Sequence, residues 1–99
     1  KHSETEDAIN SLVSSLVFEQ VDEGYGYYSY TATAENTSDY SFTDVSLVLA
    51  LYDADGVMVQ EAYAGVNSWP SGETVKFETG GEVETSQIKV SLEYYDVAE

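Results

Sequence analysis

Asp53 and Asp55, two residues apart and followed by Gly56 in "LYDADGVMVQ", have the spacing with which a calcium-binding loop begins. Carboxylate oxygens at alternate positions suit a hard cation, and the glycine behind them lets the loop turn sharply. A complete loop of that kind also needs an oxygen ligand at its first position and a bidentate glutamate at its twelfth. With Gly56 in the glycine place, those positions fall on Leu51 and Ala62, which have no side-chain oxygen. With Asp53 placed first, Gly56 arrives too early. The structural reading asks for less: two apolar runs joined by Asp-Ala-Asp-Gly make a β-hairpin, in which aspartate accepts from local backbone N–H groups and Gly56 takes positive φ. Asp53 and Asp55 stay as the candidate cation ligands, while no cofactor and no dedicated metal site is expected.

The second group is aromatic. Four of the nine tyrosines fall in "YGYYSY". Tyr28 and Tyr30 alternate with polar residues and belong to a core face. Tyr25, Tyr27, Trp69 and Tyr95 are the candidates for an exposed platform on which a sugar or small ligand would stack. The competing reading is that tyrosine forms strands well and packs across its neighbours.

Catalysis finds little support. His2 is the only histidine and stands at the chain's beginning, where a Ser-His-Asp arrangement would have no framework around it. The nucleophile elbow and the phosphate-cradling loop are both absent. Cysteine is absent too, which removes thiolate nucleophiles, disulfides and cysteine metal sites together. With 19 acidic residues, two carboxylates meet easily by chance, so proximity alone says little about acid–base work. The expectation is a protein without enzymatic activity.

Charge narrows the partners. The 19 acids face three lysines and no arginine, for a net charge of -16. Nucleic acids and anionic membrane surfaces are bound through lysine and arginine, so neither is an expected partner. Self-repulsion at this charge opposes compaction, and salt should relieve it. The longest apolar run, from Val45 to Leu51, is far below the roughly 20 residues of a membrane helix. Lys1 follows no methionine or apolar leader, so the chain reads as part of a longer precursor.

The elements that would position these residues are strands. "YYSYTATAEN" alternates Tyr28, Tyr30, Ala32 and Ala34 with Ser29, Thr31, Thr33 and Glu35, a half-buried strand. "FTDVSLVLALY" is apolar on both faces, with Val45, Leu47, Leu49 and Leu51 on one, and this predicts the central strand. After the Asp-Gly turn, Val57, Val59 and Tyr63 share one face of a returning strand, against Met58, Gln60 and Ala62. "WPSGE" is a turn, with Pro70 presetting φ and Gly72 accepting a positive one. "TVKFET" follows, with Val75 and Phe77 inward and Lys76 and Glu78 outward. The last strand alternates Ile88, Val90, Leu92 and Tyr94 against Lys89, Ser91, Glu93 and Tyr95. With "SLVFEQV", the count is six or seven strands, at a spacing suited to an all-β sandwich.

Residues 1–14 are a lead-in, helical or disordered, and residues 15–99 a single domain. In the helical reading Thr5 caps a helix, and Ile9, Leu12, Val13 and Leu16 form its apolar stripe. Asn36-Thr37-Ser38 matches the N-glycosylation acceptor pattern, at a place where a turn is also needed.

From about Ala32 to Tyr94 the chain resembles the FxLYD domains of bacterial and archaeal envelope proteins. The resemblance is carried by "LALYDADG", with Leu51, Tyr52 and Asp53 as its "LYD", by "ENTSDYSFTDV" before it and by "WPSGETVKF" after it. The family's glycine-x-valine-x-asparagine stretch is similar to Ala32 to Asn36, with Ala32 in place of the usual glycine and Leu49 in place of the signature phenylalanine. The resemblance implies an immunoglobulin-like antiparallel β-sandwich in a lipoprotein or membrane-anchored surface protein, extracytoplasmic and without established enzymatic activity. The expected partner is another envelope protein or another domain of the same parent chain. The alternative is a carbohydrate- or small-ligand-binding module built on the aromatics.

Overall fold

A computed structural model describes the backbone of residues 2–98 and the side chains of residues 3–98. Six strands follow one helix: α1 (His2–Ser14), β1 (Glu19–Gly24), β2 (Tyr27–Glu35), β3 (Phe42–Tyr52), β4 (Met58–Trp69), β5 (Thr74–Gly81) and β6 (Gln87–Val97). Two three-stranded antiparallel sheets, ordered β1-β2-β5 and β4-β3-β6, pack as an all-β sandwich. In these neighbour relations β2 lies between β1 and β5, and β3 pairs with β6, as strands A, B, E and C, F do in an immunoglobulin sandwich.

The lead-in is helical and belongs to the core. Ile9, Leu12, Val13 and Leu16 fall on one face at helical spacing and are buried. Thr5 is not the cap: the helix begins earlier, and Thr5 is a buried residue within it. At the far end Ser14 and Ser15 donate their hydroxyls back to Ser11 O (3.0 Å) and Leu12 O (2.7 Å). Such bonds compete with the helical ladder, and the chain leaves the helix there.

As its apolar sequence predicts, β3 is central, between β4 and β6. Val45, Leu47, Leu49 and Leu51 are buried against Tyr30, Ala32 and Phe77 of the other sheet. Burial of each such aliphatic side chain contributes about 2 kcal/mol. Opposite Leu47 and Leu49 in the register stand Ala64 and Ala62, so large side chains on β3 meet small ones on β4. The inward face of β4 is therefore Ala62 and Ala64, while Val59 and Tyr63, which share the other face, are exposed. A bulge moves the register there, pairing Leu51 with Gln60 but Tyr52 with Met58.

Two further bulges reset β3 and β6. Asp44 adopts a left-handed φ of 53°, and the pairing passes from Thr43–Asp96 to Ser46–Tyr94. The next step passes from Ser46–Tyr94 to Leu47–Leu92, leaving Glu93 with no residue opposite it in the register. An extra residue sends every side chain beyond it to the other face. Tyr95, expected outward, therefore joins the core, whereas Tyr94 is exposed.

Polar pins hold the ends of the sandwich. Asn36 is 0 % exposed. Its Nδ2 donates to Tyr40 O (2.8 Å) and Trp69 O (3.0 Å), and its Oδ1 accepts from Ser38 N (3.0 Å) and Ser38 Oγ (2.7 Å). Its backbone pairs with Glu73 O and Gly72 N. The acceptor pattern at Asn36 is thus a structural asparagine whose amide nitrogen is enclosed in the folded chain. At the other end Thr85 N donates to Gln20 Oε1 (2.8 Å) and Thr85 Oγ1 to Tyr52 O (2.7 Å), tying the loop before β6 to both sheets.

Candidate functional site

The Asp53 turn closes on itself. Asp53 Oδ1 accepts from Asp55 N (2.9 Å) and Val57 N (3.0 Å), while Asp53 N donates to Val57 O (2.9 Å) and Gly56 N to Asp53 O (3.1 Å). Gly56 has φ of 81°, the conformation this turn requires. The Asp53 carboxylate is thus employed in ordering its own backbone. Among the described residues no group of three or more histidine, cysteine, aspartate or glutamate side chains is assembled for a cation. His2 lies at the start of α1, and its side chain falls outside the described ones.

The four aromatic candidates are not brought together. Trp69 is fully buried, a correction to its expected exposure. Its indole Nε1–H donates to Glu73 O (3.1 Å) across the turn, and its ring meets Phe77 edge to face at 5.3 Å. Tyr95 is half-buried against Phe42. Tyr25 stands fully exposed at the tip between β1 and β2, with φ of 58° between two glycines of positive φ. Tyr27 lies nearby with its phenol end over Gly80, in the space a side chain on that residue would occupy. No common face carries all four.

A different apolar surface is assembled on the outer face of the β4-β3-β6 sheet. On β3, Val48, Ala50 and Tyr52 point away from the core because Leu47, Leu49 and Leu51 point into it. The register sets Tyr63 and Ser91 on either side of Val48, Glu61 and Lys89 beside Ala50, and Met58 and Gln87 beside Tyr52. Tyr63 and Met58 are exposed, and the β3 residues between them are half-buried. Lys89 Nζ lies 4.9 Å from the centre of the Tyr52 ring, a cation–π contact at the strip's margin. Farther along, Tyr94 donates to Asp96 Oδ2 (2.8 Å), and that bond, with the negative charge of Asp96, raises the Tyr94 pKa above the ordinary tyrosine value. Ser46 donates to Glu93 Oε1 (2.6 Å) beside it.

This strip was legible only indirectly. The second apolar face of "FTDVSLVLALY" predicts a central strand, and it is one; that the same face stays open to solvent depends on no layer among the described residues covering that sheet.

No family model, no curated protein and no solved structure matches the chain.

Proposed function

We propose that the chain is a non-catalytic, extracytoplasmic β-sandwich module of a lipoprotein or surface protein, and that it works by contacting another protein. The observation that carries the reading is the solvent-facing strip of Val48, Ala50, Tyr52, Met58 and Tyr63. A contiguous apolar surface with polar margins is the kind of surface that proteins bury against one another. The margins are supplied by Glu61, Lys89 and Gln87. The resemblance of "LALYDADG" and its flanks to FxLYD domains supports the immunoglobulin-like reading and an envelope location, although a fold by itself transmits no activity. The carbohydrate reading loses its platform with Trp69 in the core.

The test is photo-cross-linking in the source cells, with a reactive residue placed in the parent protein at position 63 or, on the opposite sheet, at position 78. The reading expects a defined protein adduct from position 63, little from position 78, and the parent protein in the envelope fraction. A cytosolic parent protein, or adducts independent of position, would contradict it.

A further inference from the structure

A strand at the end of a sheet presents one row of backbone N–H and C=O groups to whatever lies beside it. Four strands of this sandwich end a sheet: β1, β5, β4 and β6. β4 and β5 lie against each other where the two sheets meet. β1 is short, and its outer residues include Glu19, Asp22 and Glu23. That leaves β6, an 11-residue strand whose register with β3 runs unbroken from Gln87 to Leu92 before the bulge at Glu93.

Two grooves follow this edge. One, of about 430 Å³, lies between the Leu16–Phe18 segment and Ile88 and Val90. The other, of about 680 Å³, lies between α1 and the second half of β6, with Glu6 and Val13 on the helical side. Residues of both faces of β6, Ser91 and Glu93 together with Val90 and Leu92, line the second groove. The groove therefore follows the strand's edge instead of covering one face. Val13 gives this groove an apolar wall, as Leu16 and Phe18 give the first one, for alternate side chains.

Charge selects the occupant. The chain carries -16, and Glu6 and Glu93 flank the second groove, while Lys89 on the same strand is turned to the outer face, over the Tyr52 ring. A second copy carries the same net charge of -16, and its acids nearest the edge would fall within the roughly 8 Å over which charges act at physiological salt. A basic segment meets the opposite field and is steered toward it.

We propose that the edge of β6 from Ile88 to Leu92 takes an extended, lysine- or arginine-bearing segment of a partner protein as a further strand of the β4-β3-β6 sheet. The inference rests on the interaction reading above and names how such a partner is held. Backbone pairing supplies affinity, and the apolar walls and acidic margin supply selection at alternate side chains.

The test uses the 99-residue chain and a capped synthetic peptide of about six residues that alternates valine with lysine. Two control peptides accompany it, one N-methylated at alternate residues and one with glutamate for lysine. The lysine peptide should bind and slow hydrogen exchange at alternate amides between Ile88 and Leu92. N-methylation removes backbone donors without touching the protein, and should weaken binding at least about tenfold; glutamate should abolish it. Absence of binding would overturn the proposal, as would equal binding of the N-methylated peptide, which would mean charge attraction alone. Binding that is lost in Val48→Lys while exchange at Ile88 to Leu92 stays unchanged would overturn it and leave the interaction reading in place. β6 amides already protected in a dimer of the chain would make a second copy the occupant and overturn it too.

Discussion

Phe42 and Tyr95 meet edge to face, with ring centres 5.9 Å apart and planes inclined at 76°. Neither ring belongs there by strict alternation. Phe42 lies on the core side only because the left-handed Asp44 inserts a residue into β3, and Tyr95 only because Glu93 inserts one into β6. The two slips are matched, so the core continues past the place where the regular ladder ends. An aromatic pair of this geometry adds about 1 kcal/mol to the burial of its rings.

The neighbouring tyrosines should therefore behave oppositely. Tyr95→Ala removes a ring from the core and should cost about 2 to 3 kcal/mol in urea unfolding. Tyr94→Ala removes a ring from the surface and should leave the midpoint where it was. The reverse order would restore strict alternation and refute the bulge.

Asn36→Ala deletes an enclosed amide whose removal leaves the Tyr40 and Trp69 carbonyls and the Ser38 donors without it. The expected loss is about 3 kcal/mol. Asn36→Asp keeps the acceptor for Ser38 but loses both donated bonds, so it should also destabilise the chain. A neutral result for either variant, read from denaturant midpoints, would show that the asparagine is not a pin.

Alkaline pH should loosen the chain through Tyr30. Burial raises the Tyr30 pKa, with Tyr28 and Glu84 adding to the shift, and its hydroxyl donates to Val83 O at 2.8 Å. An unfolded tyrosine titrates near about 10. The folded chain holds its proton longer, so this contribution is complete below that pH and is lost as pH rises through the window above it. Tyr30→Phe should make the alkaline fall of the thermal midpoint shallower. It will not abolish it, because Tyr28, Tyr40 and Tyr94 are shifted in the same direction. An unchanged slope in Tyr30→Phe would remove Tyr30 from the account.

Sodium chloride should raise the thermal midpoint, because screening relieves the repulsion of a chain with net charge -16. Calcium at matched ionic strength should raise it no further, since Asp53 Oδ1 is employed on its own turn. A midpoint indifferent to salt would refute the first statement. Micromolar calcium binding that vanishes in Asp53→Asn would refute the second.

What the sequence discloses here follows the physics of alternation. β2, β5 and the part of β3 beyond Asp44 keep period two, and Tyr30, Leu47 and Phe77 are buried as their spacing predicts. The rule gives way where one inserted residue reverses the faces, at Val59 in β4 and Glu93 in β6, because a bulge depends on the partner strand and has no local composition. On β4 hydropathy leaves open which face is inward, and the register decides it by setting Ala64 and Ala62 opposite Leu47 and Leu49. Trp69 misleads for another reason. A tryptophan ahead of Pro-Ser-Gly resembles a loop residue, yet the turn itself supplies Glu73 O to the indole N–H and so permits burial. The outer strip is legible in β3 composition, but its openness is a property of the layers.

Partner binding by the outer strip, as proposed, is tested most directly on the partner itself. The protein cross-linked from position 63 should be purified and its affinity measured for the chain and for two charge variants. Val48→Lys, in the middle of the strip, should weaken binding at least about tenfold, while Lys76→Glu, on the opposite sheet, should leave it unchanged. Equal affinity for Val48→Lys and the unaltered chain would contradict the claim that this face is where the partner sits.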